Sequence, residues 1–182
     1  GTYTKSAFLY AAATELTGFY VPALYDIAYH EDGTIAAIVP KDDKVPAKVV
    51  KRVVADFDKC YIPTDTVIPY IETVQDRVTI EIMRGCIRGC RFCQAGFVTR
   101  PVRERSPEVL NEACREMVHS SGYGEISMCT LSVSDYSKIR ELTDQLLEWT
   151  DDEKVSLSLP SMRADSFTKE LMEKISSVRS ST

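Results

Sequence analysis

The sequence predicts an α/β fold: about three β–α units of a parallel sheet, preceded by a small α+β unit. Three observations predict it. From Arg77 onward, short β-prone runs alternate with segments of helical periodicity. Before that point the rhythm differs, and Pro63, Pro69 and the polar residues around them read as a linker. At roughly 30 residues per β–α unit, the chain beyond the linker holds about three units, too few for a closed barrel of ~250 residues. We place the small unit at residues 1–72 and the α/β unit at 73–182.

The elements follow in order. Ala7, Phe8, Ala11, Ala12 and Leu16 recur at helical spacing, and Gly18 ends that helix. Leu24–Tyr29 and Thr34–Val39 flank an Asp32-Gly33 pair, which predicts a hairpin. Val45 to Phe57, rich in valine, predicts a third strand. Val78, Ile80 and Ile82 alternate within a strand from Arg77 to Met83. Ser106-Pro107-Glu108 starts a helix, with serine as cap and proline in the first turn. Its apolar face is Leu110, Ala113, Cys114, Met117 and Val118. Glu125 to Leu131 is a second strand of the α/β unit, and Ser137 to Trp149 a helix with Ile139, Leu142, Leu146 and Leu147 inward. Val155, Leu157 and Leu159 mark a third strand ended by Pro160. Phe167, Leu171 and Ile175 mark a last helix.

Composition narrows the class. The chain has 182 residues, 44% of them apolar, with a net charge of −5, which argues for a globular protein and against a general nucleic-acid coat. No apolar run approaches the ~20 residues of a membrane helix, so no membrane partner is expected. The first residue is Gly1, which reads as a piece cut from a longer chain. There are six cysteines and no secretory leader, so a disulfide framework is not expected and a reducing cytoplasm is. Cys60, Cys114 and Cys129 sit singly on apolar backgrounds and read as small core residues.

Cys86, Cys90 and Cys93 crowd into one loop directly after a predicted strand, spaced C-x3-C-x2-C. Thiolates are soft ligands that suit iron–sulfur clusters and zinc. Gly85, Gly89 and Gly96 let the backbone wrap a compact metal group. Arg84, Arg88 and Arg91 are expected to favour the thiolate form. Electron-transfer clusters and structural zinc normally close their shells with four protein ligands. Three clustered cysteines leave one position open for chemistry.

The run Cys86-x3-Cys90-x-Phe92-Cys93 resembles the signature of the radical S-adenosylmethionine (radical SAM) superfamily, down to the aromatic residue before the last cysteine. The stretch from Glu81 to Ser106 is similar to a bacterial subgroup of Fe-S oxidoreductases whose radical domain follows a cobalamin-binding-like domain. The resemblance implies the first half of a partial (β/α)6 barrel. It implies a [4Fe-4S] cluster on Cys86, Cys90 and Cys93, whose fourth iron binds S-adenosylmethionine. One electron, from a donor such as flavodoxin or ferredoxin, then gives methionine and a 5′-deoxyadenosyl radical that abstracts hydrogen from a substrate.

By the same resemblance Phe92 packs near the adenine. Many members end the second strand in Gly-Gly-Glu, which holds the cofactor's amino group. Here Thr130-Leu131-Ser132 stands in its place, and Thr130 and Ser132 are the residues expected to do that work. Arg163, with Ser161, is expected to pair with the cofactor carboxylate, a geometry that suits arginine. Half a barrel leaves such a site open, so the chain alone is not expected to turn over. It also exposes a sheet edge, which predicts pairing between chains.

Two alternatives stay open. One is a methyl or methylthio transferase, cobalamin-assisted or RNA-modifying. The other is a non-catalytic module holding zinc or a cluster. Six arginines against one acid lie between Arg84 and Arg105. They read either as a surface for an anionic substrate such as RNA or as cations paired locally. The local reading is favoured, because no aromatic stacking platform accompanies them.

Overall fold

The computed structural model describes residues 4–71 and 73–163. The chain divides into two compact units, residues 1–54 and 55–182, so the division falls earlier than the linker expected near residue 72.

In the first unit, α1 (Lys5–Glu15) is capped by Thr4, whose hydroxyl accepts from the Ala7 amide. The hairpin β1 (Tyr25–Tyr29) and β2 (Ile35–Pro40) pairs antiparallel, with Ile27 opposite Ile38. Gly33 closes its turn at φ +80, a backbone region that a side chain disfavours. Much of the apolar surface stays open to solvent: Phe8 on the helix and Leu16 just after it, Ile27, Tyr29, Ile35 and Ile38 on the hairpin. No strand forms between Val45 and Phe57, contrary to expectation. Valines there come in adjacent pairs, Val49-Val50 and Val53-Val54. A strand would send the two members of each pair to opposite faces, so no single apolar face exists to bury.

The second unit is built on three parallel strands in the order β3–β6–β7: β3 (Val78–Glu81), β6 (Glu125–Cys129) and β7 (Ser156–Ser158). Parallel neighbours need crossovers, supplied by α3 (Pro107–Ser121) and α4 (Ile139–Glu153). Ser106 caps α3, Pro107 opens it, and Gly122 ends it at φ +73. All five residues expected on the apolar face of α3 are buried. On α4, Leu142 and Leu146 are buried as expected, and Thr143, Trp149 and Thr150 join them. Trp149 Nε1 donates to Asn111 Oδ1 at 2.8 Å, pinning the two helices together. Arg77 Nη1 donates to Glu125 Oε1 at 2.5 Å, fixing where β3 and β6 begin.

The strand expected from Arg77 to Met83 is interrupted. After β3 the chain turns into β4 (Met83–Arg84), which pairs antiparallel with β5 (Arg103–Glu104) rather than continuing the sheet. The two short strands clamp the ends of the cysteine loop together. A four-residue helix, α2 (Ala95–Val98), lies inside that loop. The helix expected around Phe167, Leu171 and Ile175 lies outside the described residues.

Leu110 is fully enclosed between α3 and the sheet. Leu110→Ala should lower the unfolding free energy by about 2–5 kcal/mol, read as a reduced urea midpoint with unchanged slope.

Candidate metal centre

In a parallel sheet, ligands gather beyond the carboxyl ends of the strands. Here three segments leave those ends: the cysteine loop after β3 and β4, Thr130–Asp135 after β6, and Ser161–Arg163 after β7.

The loop is closed tightly at its base. Gly85 sits at φ +90, and a Cβ there would lie 2.8 Å from the Pro101 carbonyl oxygen and 3.0 Å from Val102 Cα. Both the backbone angle and the space demand glycine. Cys86 is buried, and the Arg88 amide points at its Sγ at 3.4 Å. Cys90 and Cys93 are half-buried and joined by a turn, the Cys93 amide donating to the Cys90 carbonyl at 3.0 Å. A Cβ on Gly96 would touch the Arg88 carbonyl at 3.5 Å and Cys93 Sγ at 3.8 Å, so glycine leaves space beside that thiol. The three thiols share one loop, but no three His, Cys, Asp or Glu side chains are gathered to metal-binding distance among the described residues.

The loop arginines are committed locally. Arg84 makes two bonds to Glu81, at 2.8 and 2.9 Å. Arg88 grips Asp135 with Nε and Nη2. Arg100 donates to the Arg88 carbonyl at 3.0 Å and lies over the Phe97 ring. Arg103 donates to the carbonyls of Thr99 and Pro101. Arg105, only 4% exposed, donates to the carbonyls of Phe57 and Cys60 and stacks on Phe57 at 4.1 Å. Arg91 stands on the exposed turn between Cys90 and Cys93. The local-pairing reading of this stripe is therefore the one the geometry favours.

The other expected residues fall as follows. Phe92 projects from the loop, 93% exposed. Thr130 Oγ1 is buried without a hydrogen-bond partner among the described residues. Ser132 is buried, its hydroxyl 3.4 Å from that of Ser134. Ser161 is exposed at φ +59. The Arg163 amide donates to Ser134 Oγ at 3.5 Å. Asp135, not singled out by the sequence reading, lies where these segments meet. Its carboxyl is held below the ordinary aspartate range, first by the Arg88 hydrogen bonds, then by the Ser132 hydroxyl and the charges of Arg88 and Arg163. The parallel register thus brings the ends of β6 and β7 together with Arg88 of the cysteine loop.

The family model of the radical SAM superfamily matches residues 80–179. The chain belongs to the radical SAM superfamily. Its parallel strands and crossover helices are part of the β/α fold expected of that superfamily. An uncharacterized protein of Methanocaldococcus jannaschii is 34% identical over 130 residues, 71% of this chain and 28% of that protein. The tRNA-2-methylthio-N(6)-dimethylallyladenosine synthase of Protochlamydia amoebophila is 32% identical over 75 residues, 41% of this chain and 15% of the synthase. The synthase of the same name from Clostridium botulinum is 37% identical over 59 residues, 32% of this chain and 13% of the synthase. The chain therefore spans less than a third of the length of these relatives.

The residues fit the [4Fe-4S] cluster and S-adenosylmethionine that membership of the radical SAM superfamily implies. The donor set is three soft thiols on a glycine-bearing loop. The orphaned Thr130 hydroxyl sits at a strand end, where a polar ligand group would satisfy it. No described helix is long and apolar enough to cross a membrane.

Of the three remaining cysteines, all expected in the core, Cys114 is buried, Cys60 half-buried and Cys129 exposed. Burial pushes the Cys114 thiol up to about 12, so it stays protonated at neutral pH. Cys129, at the end of β6, is exposed. Native protein treated with iodoacetamide at pH 8 should be alkylated at Cys129 and spared at Cys114, as read by peptide mass spectrometry. Gly85→Ala should cost more than about 1 kcal/mol in thermal unfolding, since neither the backbone angle nor the Pro101 carbonyl can accommodate the methyl group.

Proposed function

We propose that the protein of which this chain forms part cleaves S-adenosylmethionine reductively and applies the resulting radical to a substrate by hydrogen abstraction. The observation that carries this reading is the loop of Cys86, Cys90 and Cys93, closed by β4 and β5 at the carboxyl edge of a parallel sheet. When bound there, the cluster supplies an electron to the sulfonium of the cofactor, giving methionine and a 5′-deoxyadenosyl radical.

The chain's own residues take the binding roles. Cys86, Cys90 and Cys93 would hold the cluster through their thiolates. Thr130 and Ser132 offer hydroxyls and backbone carbonyls to its amino group. Arg163 and Ser161 meet its carboxylate, the Arg163 amide bonding to Ser134 Oγ in the turn after β6. Phe92, exposed on the loop, is available to lie against the adenine. An electron donor of the flavodoxin or ferredoxin class completes the set.

A second reading is favoured by the relatives. Two of them are named as synthases of a methylthio-modified tRNA nucleoside. On this reading the substrate from which hydrogen is abstracted is a tRNA nucleoside. Of the loop arginines, Arg84 and Arg88 are paired with carboxylates, while Arg100 and Arg103 bond to neutral carbonyls and keep their charge for an anionic substrate.

Anaerobic reconstitution with iron and sulfide, followed by electron paramagnetic resonance of the dithionite-reduced protein, tests the main reading. A [4Fe-4S] signal is expected. It should shift on addition of S-adenosylmethionine and vanish in Cys86→Ala, Cys90→Ala and Cys93→Ala. Tightly bound zinc and no cluster would leave a structural metal module as the better account. Mass spectrometry of tRNA nucleosides from cells lacking the gene separates the second reading: loss of a methylthio nucleoside supports it, an unchanged set rejects it.

A further inference from the structure

Arg88 occupies an unusual place. It lies between the first two cysteines of the loop, and all three parts of it are engaged. Its amide faces Cys86 Sγ at 3.4 Å. Its carbonyl accepts from Arg100 at 3.0 Å. Its guanidinium meets Asp135, with Nε at 2.9 and 3.1 Å from the two carboxylate oxygens and Nη2 at 2.5 Å from Oδ1. Asp135 is 47 residues away in sequence, on the 3₁₀ turn Val133–Asp135 after β6.

The burial is asymmetric. The Asp135 side chain is 3% exposed and that of Arg88 is 38% exposed. A carboxylate so enclosed needs a cation, because leaving it alone carries the full cost of a buried charge. The two-nitrogen grip fixes direction as well as distance. Asp135 therefore sets where Arg88 goes, and not the reverse. Through the Arg88 amide that placement reaches Cys86. Through its carbonyl and Arg100 it reaches the segment just after α2, on the far side of Cys93.

We propose that Asp135 is a positioning residue: by gripping Arg88 it presets the cysteine loop against the ends of β6 and β7 before any metal arrives. The proposal rests on Cys86, Cys90 and Cys93 being the ligands. It adds a residue that touches neither metal nor cofactor and that acts through the loop backbone.

Trypsin offers a direct probe in the metal-free chain, because both Arg88 and Arg91 are its targets. Arg91 stands on an exposed turn, so cleavage after it is an internal control. Asp135→Asn keeps size and polarity but removes the charge. Cleavage after residue 88 should quicken about tenfold relative to cleavage after Arg91. Arg88→Lys keeps the trypsin site and the charge but loses the two-nitrogen grip, and should quicken it likewise. Far-ultraviolet circular dichroism of both variants checks that the sheet and helices persist. An unchanged cleavage ratio in both variants overturns the proposal.

The second arm uses reconstituted protein. Asp135→Asn and Arg88→Gln should each hasten iron loss to a chelator about fivefold, and the double variant should be no worse than either single one. The reduced variants should also show broadened or shifted resonance features, which a merely destabilised scaffold would not give. Multiplicative losses in the double variant overturn the proposal. A wild-type chain that takes up no cluster at all counts against the ligand assignment alone, and the trypsin arm still decides the role of Asp135.

Discussion

The buried guanidinium of Arg105 is the constraint on which the second unit depends. It draws in the carbonyls of Phe57 and Cys60 and lies on the Phe57 ring. Its own amide donates to the Ile82 carbonyl, and its carbonyl accepts from the buried Tyr136 hydroxyl. One residue therefore joins the segment before the sheet, the bridge between β3 and β4, and the turn after β6. Its charge lies near Glu81 and Asp58, while desolvation lowers its pKa from the ordinary value. Arginine suits this task because its flat, weakly hydrated fork can stack and donate at once; lysine can do neither as well.

From that anchor the loop geometry follows. Because Ile82 bonds to both Cys129 and Arg105, the chain leaves the sheet at Met83 and forms the β4–β5 pair. That pair brings the two ends of a long loop together. Closing a loop costs chain entropy that grows slowly with length. The arginines within it tie the loop down, Arg100 and Arg103 to its own carbonyls and Arg84 and Arg88 to the carboxylates of Glu81 and Asp135. The basic stripe thus acts as internal scaffolding.

Much of this was legible in the sequence where a local signal existed. The period of α3, its Ser106-Pro107 start and the alternation in β3 all have local causes, and the structure keeps them. The cysteine spacing, with Phe92, identified the superfamily. What could not be read was set by distant partners. The turn at Ile82 depends on Arg105, and Asp135 looks in sequence like any loop aspartate until β6 pairs with β3. The valine-rich run from Val45 was misleading because β propensity without alternation offers no face to bury. Thr143 and Thr150 are buried on α4 although threonine has no strong preference for cores; Thr143 satisfies its hydroxyl on the Ile139 carbonyl.

The open apolar surface of the first unit has a consequence for the chain's behaviour in solution. Phe8, Leu16, Ile27 and Ile38 present greasy patches that water does not favour, while a net charge of −5 makes copies repel one another. At low ionic strength that repulsion reaches tens of ångströms; near 1 M salt it fades within about 3 Å. Strongly excluded salts such as sulfate also strengthen apolar association. The chain's colloidal stability is thus held by long-range charge against short-range stickiness, and added salt tips the balance toward clustering through the hairpin and helix of the first unit.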